Sequence, residues 1–536
     1  ADPAALAAAL SGATHVLYAP VAAAVGLGAA PAYQVFNTAR RLVTTILDHQ
    51  TPATLFLLTR NAQPVGDGDR ANPAHAVLWG LGRSLALEHP EIWGRVIDVD
   101  ESVPAALVAG YLLAEAGAAD TEDQIVYRAG IRRVLRLRKG RPSGAATPVE
   151  FAADSCHLVI GATGNIGPQL VRQLAASGAK TIVAVSRRPG TRLDELAAEL
   201  AGTTLVTVAA DAADEAAMSA LFDRFGADLP PLAGIHVAAF AGGPITLRDM
   251  TDDDVTAMFR PKLDVVAVLH KLSLRHPVRH FVLFSSISGI TGSRWLAHYT
   301  ATTTFLDTFA YARRAAGLPA TAINWGLWKS LDDSQSDAER QVTAESGLQP
   351  MADEVAIGAL PLVIGAQSAV RHTVVAADWP RLATAYRTRA ALHIVDDLLA
   401  VAAPADGSAP VTTEFRRTLS DAEPEQRLEL LREHVITQVV AAMGLASRHA
   451  LDPTAGFFAS GMDSLMSVTL QRALSDSLGE TLPAAVVFDY PTIDALTGYL
   501  ATILPELVEA AEQDSADDYD DMSDDELLAQ LSERLN

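Results

Sequence analysis

The sequence predicts an α/β protein with two doubly wound, parallel-sheet units followed by a small four-helix bundle. Three observations lead there. Short apolar strands alternate with longer helical patterns from residue 14 to about 324, as a parallel sheet covered by helices requires. A glycine-rich turn, Gly161-Ala-Thr-Gly164-Asn-Ile-Gly167, links one such strand to a helix. A stretch with Pro404, Gly407, Ser408 and Pro410 then separates these units from a last, helical region. The length of 536 residues fits three or four domains at roughly 150 residues each, and 49% apolar residues suffice for their cores.

The first unit, residues 1–148, takes its strands from 14–20 (THVLYAP), 54–59 (TLFLLT) and 95–99 (RVIDV). Helical patterns near 30–48 and 73–88 lie between them, and IVYRAGIRRVLRLR at 125–138 closes the unit as strands. The second unit, 149–400, repeats the plan with strands at 157–160, 181–185, 205–209, 235–239, 280–284 and 320–324, and a helix at about 167–177. Strands this apolar are buried on both faces. Residues 401–425 read as a linker, 426–505 as an independent four-helix bundle, and 506–536 as an acidic tail. Nine acidic residues fall between 512 and 526, and Ser523 with Glu526 forms a capping box ahead of Leu527, Leu528, Leu531 and Leu535. That amphipathic end is a candidate docking element for a downstream enzyme; a fraying terminus has the same pattern.

The 41 basic and 64 acidic residues leave a formal charge of -23, which disfavours nonspecific binding to nucleic acid. No apolar run is long enough to span a membrane and no basic start leads into a signal-peptide core, so the expected location is cytoplasmic. The Ala-rich beginning reads as a cut from a longer chain. A single cysteine excludes a disulfide framework and a zinc site of several thiolates, and Cys156 reads as core. Lysines occur only at 139, 180, 262, 271 and 329, which makes each worth a chemical reason.

Glycines 161, 164 and 167, with Thr163, Asn165 and Ile166 between them, permit a tight turn and a close approach to a pyrophosphate. The N-terminus of the following helix stabilises that charge. The spacing is GxxGxxG rather than GxGxxG, so the strand–helix setting carries the weight. The next strand ends in Ser186-Arg187-Arg188, where a site for NAD would place an acidic residue. Two guanidinium groups suit the additional phosphate of NADP, through charge-assisted and often bidentate hydrogen bonds. An exposed basic turn is the plainer alternative. Asp211, ending a later strand, is a candidate acceptor for the adenine amino group.

Three residues complete a reaction site: Ser286 ending HFVLFSS, Tyr299 thirteen positions later at a helix start, and Lys262 upstream in FRPKLDVVAVLH. With GATGNIG, SRR, FVLFSSISGITG and NWGLW at 324–328, they make the second unit resemble the ketoreductase domain of modular polyketide synthases. That domain belongs to the extended short-chain dehydrogenase/reductase superfamily. The resemblance covers essentially the whole chain. Residues 79–100, WGLGRSLALEHPEIWGRVIDVD, are similar to the truncated, non-catalytic Rossmann-like subdomain that precedes the catalytic one. The absence of lysine before 139 agrees with an inactive first unit. Residue 140 runs directly into the second, with no enoylreductase inserted.

The resemblance implies reduction of a carrier-bound β-ketoacyl thioester by NADPH. Tyr299 would supply the proton, Lys262 would favour the phenolate and Ser286 would hold the substrate oxygen. Residues 329–350 would form a lid, and Val237-Ala238-Ala239-Phe240 would line the cofactor. The fourth catalytic candidate the resemblance implies is Thr303, and two positions depart from the family pattern: Thr303 replaces an Asn four residues after the tyrosine, and Phe240 replaces a Gly. Threonine offers one hydroxyl for an amide and reaches less far. The phenylalanine brings a ring where backbone passes close to the cofactor. The Leu-Asp-Asp signature of one stereochemical class falls at Gly242-Gly243-Pro244. The tryptophan of the other falls at Thr291, with Trp295 four residues displaced, so the hydroxyl configuration stays open.

Gly461-Met-Asp463-Ser464-Leu465, with LPAAVVFDYPT at 482–492, resembles the acyl carrier protein of the same synthases. By that resemblance Ser464 bears 4′-phosphopantetheine, attached by a phosphopantetheinyl transferase. The carrier would also visit ketosynthase and acyltransferase domains of a larger synthase. Ser464 reads as the cap of a helix, where a phosphodiester sits favourably. Three tasks stay open on sequence: an active reductase, a reductively inactive scaffold beside a working carrier, and epimerisation of an α-substituent.

Overall fold

The computed structural model describes residues 10, 12–21, 26–140, 148–334, 346–365, 368–402, 413–443, 445, 455–457, 460, 462, 464–480, 482, 486–504 and 507. The chain divides into two compact units, one up to residue 402 and one from 403 onwards. The middle of the expected linker, half of the expected lid (335–345) and all of the acidic tail but Leu507 lie outside the described residues.

Both α/β sheets belong to the first compact unit. Its first sheet runs in sequential order: β1 (His15–Tyr18), β2 (Thr54–Arg60), β3 (Trp93–Val99), β4 (Gln124–Arg128) and β5 (Ile131–Val134). The first four strands are parallel and β5 returns antiparallel. The two-residue turn before β5, Ala129 and Gly130, has positive φ at both positions, which matches the twist of a hairpin. Helices α1 (Ala30–Asp48) and α2 (Pro73–Glu88) pack with Leu55 and Leu57 on one face. Helix α3 (Ala105–Ala116) places Val108 with Phe56 and Leu58 on the other. At the end of β3, the buried Asp98 accepts from the Thr59 hydroxyl (2.6 Å), the Ala62 N–H (2.9 Å) and Arg128 (2.5 Å). A carboxylate so occupied is a structural group.

The second sheet comprises β6 (Cys156–Ile160), β7 (Thr181–Ser186), β8 (Thr204–Ala209), β9 (Leu232–Val237), β10 (His280–Ser286), β11 (Thr321–Trp325) and β12 (Arg371–Val374). The strands are parallel in the order β12-β11-β10-β9-β6-β7-β8. The order reverses at β6, so a crevice opens beyond the carboxyl ends of β6 and β9, where such sheets bind ligands. Strand β9 ends at Val237, so Ala238 and Phe240 stand on the loop after it and not within the strand expected over 235–239. Cys156 is fully buried in β6, and burial pushes its thiol up to about 12. The helices that matter below are α4 (Gly167–Ala176), α5 (Asp252–Phe259), α6 (Val265–Ser273) and α7 (Ala297–Ala315).

Helix α2 is buried along its whole length because it has two neighbours, its own sheet and α7 of the second half. Gly80 lies where they cross: a Cβ there would stand 2.4 Å from the Thr300 carbonyl group and the Ala301 nitrogen. The Thr300 hydroxyl is 2.9 Å from both the Gly80 carbonyl and the Ser84 hydroxyl.

The second compact unit contains α8 (Glu414–Asp421), α9 (Pro424–Met443), α10 (Ser464–Leu478), a turn of helix at Val486–Asp489, and α11 (Ile493–Ile503). Leu431, Val435 and Val439 meet Leu470, Leu474, Leu478, Leu496 and Leu500, each set spaced by four as a helical stripe requires. The bundle reaches further back than expected. Leu419 of α8 is in the same core and Arg416 pairs with Glu480 at 2.8 Å, so the linker expected over 401–425 does not extend through α8. The polar EFRRTLSD sequence buries only Leu419 and Arg416, too little for an apolar signal. Among the described residues no helix is long and apolar enough to cross a membrane.

Candidate active site

Strand β6 delivers the chain into the glycine turn. Gly161 has φ of 93° and a Cβ on it would lie 2.8 Å from the Ala238 backbone, so only glycine fits beside the β9 loop. Gly167 opens α4 against Ala162 with the same lack of room. Thr163 reaches the end of β7 through its hydroxyl, 3.1 Å from that of Ser186, and its carbonyl accepts from Arg192 (3.0 Å). Asn165 and Ile166 are half-buried in the approach to α4. Arg187 and Arg188 are exposed beyond β7, with no ion-pair partner among the described residues. Asp211 is already engaged by Arg260 (2.9 Å) and the Ala213 N–H (3.0 Å), which hold its carboxyl below the ordinary range despite burial. This backbone cradle, with two exposed guanidinium groups beside it, fits a dinucleotide carrying an additional phosphate.

The reacting groups converge at the next loops. Helix α5 passes into α6 through a π-helical turn, Arg260–Asp264, a device common at functional sites. Lys262 sits in that turn, 3% exposed, with Nζ donating to the Phe284 carbonyl at 3.4 Å and 5.2 Å from the centre of the Tyr299 ring. Burial pushes its pKa down to about 8, against the charge of Asp307. Tyr299 is half-buried in the first turn of α7; burial raises its phenol and a hydrogen bond with Ser286 opposes the rise. Ser286 ends β10, and its Oγ also accepts from the Ser288 N–H at 3.2 Å. Phe240 meets Tyr299 edge-on, ring centres 5.3 Å apart, and remains 58% exposed.

Thr303 stands apart from this group. Its buried hydroxyl donates to the Thr300 carbonyl at 2.8 Å, the usual fate of a threonine inside a helix, so it does not stand in for an amide. One turn further lies a residue the sequence reading missed. Asp307, 3% exposed, takes Asn324 Nδ2 at 2.9 and 3.1 Å, and that nitrogen is 3.0 Å from Ser285 Oγ. Burial raises the Asp307 carboxyl, with Arg371 opposing. The available signal was the recurrence of Tyr299, Thr303 and Asp307 every four residues, on one helix face. A separate cavity of about 690 Å³ opens between the starts of β10 and β11, at the opposite edge of the sheet, and contains none of these groups.

Ser464 is the first residue of α10. Its side chain, Gly461 and Asp463 lie outside the described residues, and so does the expected cap contact.

Comparison with known proteins agrees along the chain. The family described as KR domain matches residues 155–330, and that described as phosphopantetheine attachment site matches 433–500. The Rossmann fold domain of polyketide synthase extender module SpnB matches 1–137. A phenolphthiocerol/phthiocerol polyketide synthase component of Mycobacterium tuberculosis is 61% identical over 545 residues, covering 100% of this chain and 35% of that protein. Pikromycin polyketide synthase component PikAIII of Streptomyces venezuelae is 34% identical over 85% of this chain and 30% of its own length. The chain thus spans about a third of these relatives. Among solved structures, an A1-type ketoreductase is 31% identical with TM-score 0.64, over 75% of this chain and 87% of that one. The first ketoreductase of the tylosin synthase is 31% identical with TM-score 0.63, over 74% and 84%. With cradle, reacting groups and helical bundle in the expected order, the chain belongs to the modular type I polyketide synthases, as an NADPH-dependent ketoreductase domain followed by a carrier domain with a phosphopantetheine attachment site.

Proposed function

We propose that this chain reduces the β-keto group of an acyl thioester tethered through 4′-phosphopantetheine to Ser464, releasing the β-hydroxyacyl thioester to its synthase. One observation carries the reading: a buried Lys262 with its ammonium 5.2 Å from the centre of the Tyr299 ring, and Ser286 near enough to that tyrosine to oppose the rise of its pKa. NADPH, when bound, supplies the hydride. Gly161, Thr163, Gly164, Asn165, Ile166 and Gly167 would hold its pyrophosphate, and Ser186, Arg187 and Arg188 its additional phosphate. Asp211, Ala238 and Phe240 would flank it. Negative charge then builds on the substrate oxygen. Ser286 donates a hydrogen bond to that oxygen and Tyr299 gives it a proton. The Lys262 ammonium stabilises the phenolate left behind, more strongly in this dry site than in water. Thr303 shapes the helix and takes no part in the proton transfer.

Tethering replaces intrinsic affinity with a high local concentration of substrate. The partners this requires are a phosphopantetheinyl transferase and the ketosynthase and acyltransferase domains of the larger synthase. The acidic tail would offer a downstream enzyme its docking element. The cytoplasm, where NADPH and the precursor of the arm are available, is the fitting compartment.

The test follows NADPH consumption with N-acetylcysteamine β-ketoacyl thioesters, with product identified by mass spectrometry. Consumption should match hydroxyacyl product, and Tyr299→Phe should slow it by roughly 10²–10⁴-fold while NADPH still binds. Ser464→Ala should abolish the mass gain seen with a phosphopantetheinyl transferase. No product at any chain length, despite tight NADPH binding, would replace reduction with scaffolding; loss of an α-deuterium without reduction would replace it with epimerisation.

A further inference from the structure

Glu88 is the last residue of α2, in the half that has no reacting group, yet its side chain is only 4% exposed. Burying a carboxylate is costly unless its oxygens are satisfied. Here they are satisfied across the subdomain boundary. Oε1 accepts from the Leu247 N–H at 2.7 Å and Oε2 from the Trp295 N–H at 3.4 Å. The basic side chains near it are His89, 3.8 Å away, and Arg294, which lies over the Trp295 ring and senses the carboxylate only by charge.

Those two N–H groups belong to the two loops beside Tyr299. Leu247 follows the β9 loop that carries Phe240, whose ring touches Tyr299. Trp295 lies one helical turn before Tyr299 and is held at φ of 61°, a left-handed conformation rare for an aromatic residue. The loops also bond directly, the Ile245 N–H to the Trp295 carbonyl at 2.7 Å. Each presents an exposed aromatic ring, Phe240 at 58% and Trp295 at 43%.

We propose that Glu88 is a positioning residue for acyl-chain recognition, tying the two loops so that Phe240 and Trp295 stand as apolar walls on either side of the reacting tyrosine. This rests on the reductase reading. It gives the non-catalytic half a part in substrate choice and in which face of the ketone is presented.

The full chain would be compared with Glu88→Ala and Glu88→Gln. Readouts are NADPH affinity, KM and kcat for N-acetylcysteamine β-ketoacyl thioesters of short and long chain, and the enantiomer ratio of the product. Glu88→Ala should raise KM for the long chain by about tenfold and erode the enantiomer ratio, with NADPH affinity unchanged. Glu88→Gln, which keeps one acceptor for Leu247, should fall between. Hydrogen exchange should quicken in 241–250 and 293–297 in both variants. Unchanged exchange overturns the tie itself, and does so even if the parent chain reduces nothing. Quickened exchange with unchanged KM and enantiomer ratio overturns the role in recognition, as does a loss of NADPH affinity equal to the loss of activity. An inactive parent defeats the reductase reading instead.

Discussion

Lys262 does its work only while charged, and its surroundings bring the end of that state close to neutrality. Burial holds its pKa at about 8, against an ordinary 10.5. Below that value the ammonium is present and the phenolate of Tyr299 is stabilised; above it the charge goes and so does the assistance. kcat/KM should therefore fall on an alkaline limb near pH 8, and Asp307→Asn, removing the charge that props Lys262 up, should move that limb to lower pH. A pH–rate profile measures both, and a limb that stays put in the variant would show Asp307 to be without influence. At this scale the sequence was legible where a residue's neighbours in the chain dictate its task. Gly161 is such a case, since a turn between strand and helix demands a positive φ there. It was opaque where partners are remote. Asn324 finds Asp307 17 residues away, and Glu88 finds Leu247 and Trp295 at separations of 159 and 207. Thr303 was opaque for a third reason: its type shows a hydroxyl in place of an amide, and only the fold shows that its own helix takes that hydroxyl.

Helices α2 and α7 are the elements through which one half of the molecule supports the other. At Gly80 the two backbones meet with no room for a side chain between them. Gly80→Ala should force the pair apart or bend one of them, at a cost of about 1–3 kcal/mol, the usual range for overpacking. Urea unfolding reads the loss, and a parallel fall in reduction rate would show that α7 carries Tyr299 away with it. An unaltered midpoint would mean that the helices yield easily. The strongly apolar strands were legible because burial on both faces leaves unbroken apolar runs, and helix α1 because its buried residues recur at helical spacing. Not every element was, and three show why. Helix α3, AALVAGYLLAEA, is apolar nearly all round and shows no stripe. Strand β12, RHTV, is a half-exposed edge. Helix α8 hides among charged residues.

Across the whole molecule, acid should separate the two compact units. His157 and His236 face each other inside the second sheet, ring nitrogens 3.2 Å apart, with His280 alongside. Burial drives His157 down to about 3 and His236 well below its ordinary value, and His270 and His298 fall to about 4. From these values up to about 6.5 the unfolded chain binds more protons than the folded one, so stability rises with pH there and is lost on acidification below about 6.5. Each such histidine contributes about 1.4 kcal/mol per pH unit within its window. The unfolding midpoint of the first unit should thus drop steeply between about pH 6.5 and 5. His157→Leu should flatten the slope. The second unit, in which His434 is the described histidine with a lowered pKa, should change little. Equal acid sensitivity of both units, followed by far-ultraviolet and near-ultraviolet circular dichroism, would contradict this.

The notch at Gly80 also bears on descent. Were two such chains to recombine, a crossover between residues 134 and 156 would join an α2 of one lineage to an α7 of another. Any side chain at position 80 larger than a hydrogen would then meet the backbone of a stranger. Such hybrids should be weeded out, so the two sheets are expected to be inherited as one block. Exchanges that survive would fall instead beyond residue 402, where the carrier can change hands without disturbing the helix pair.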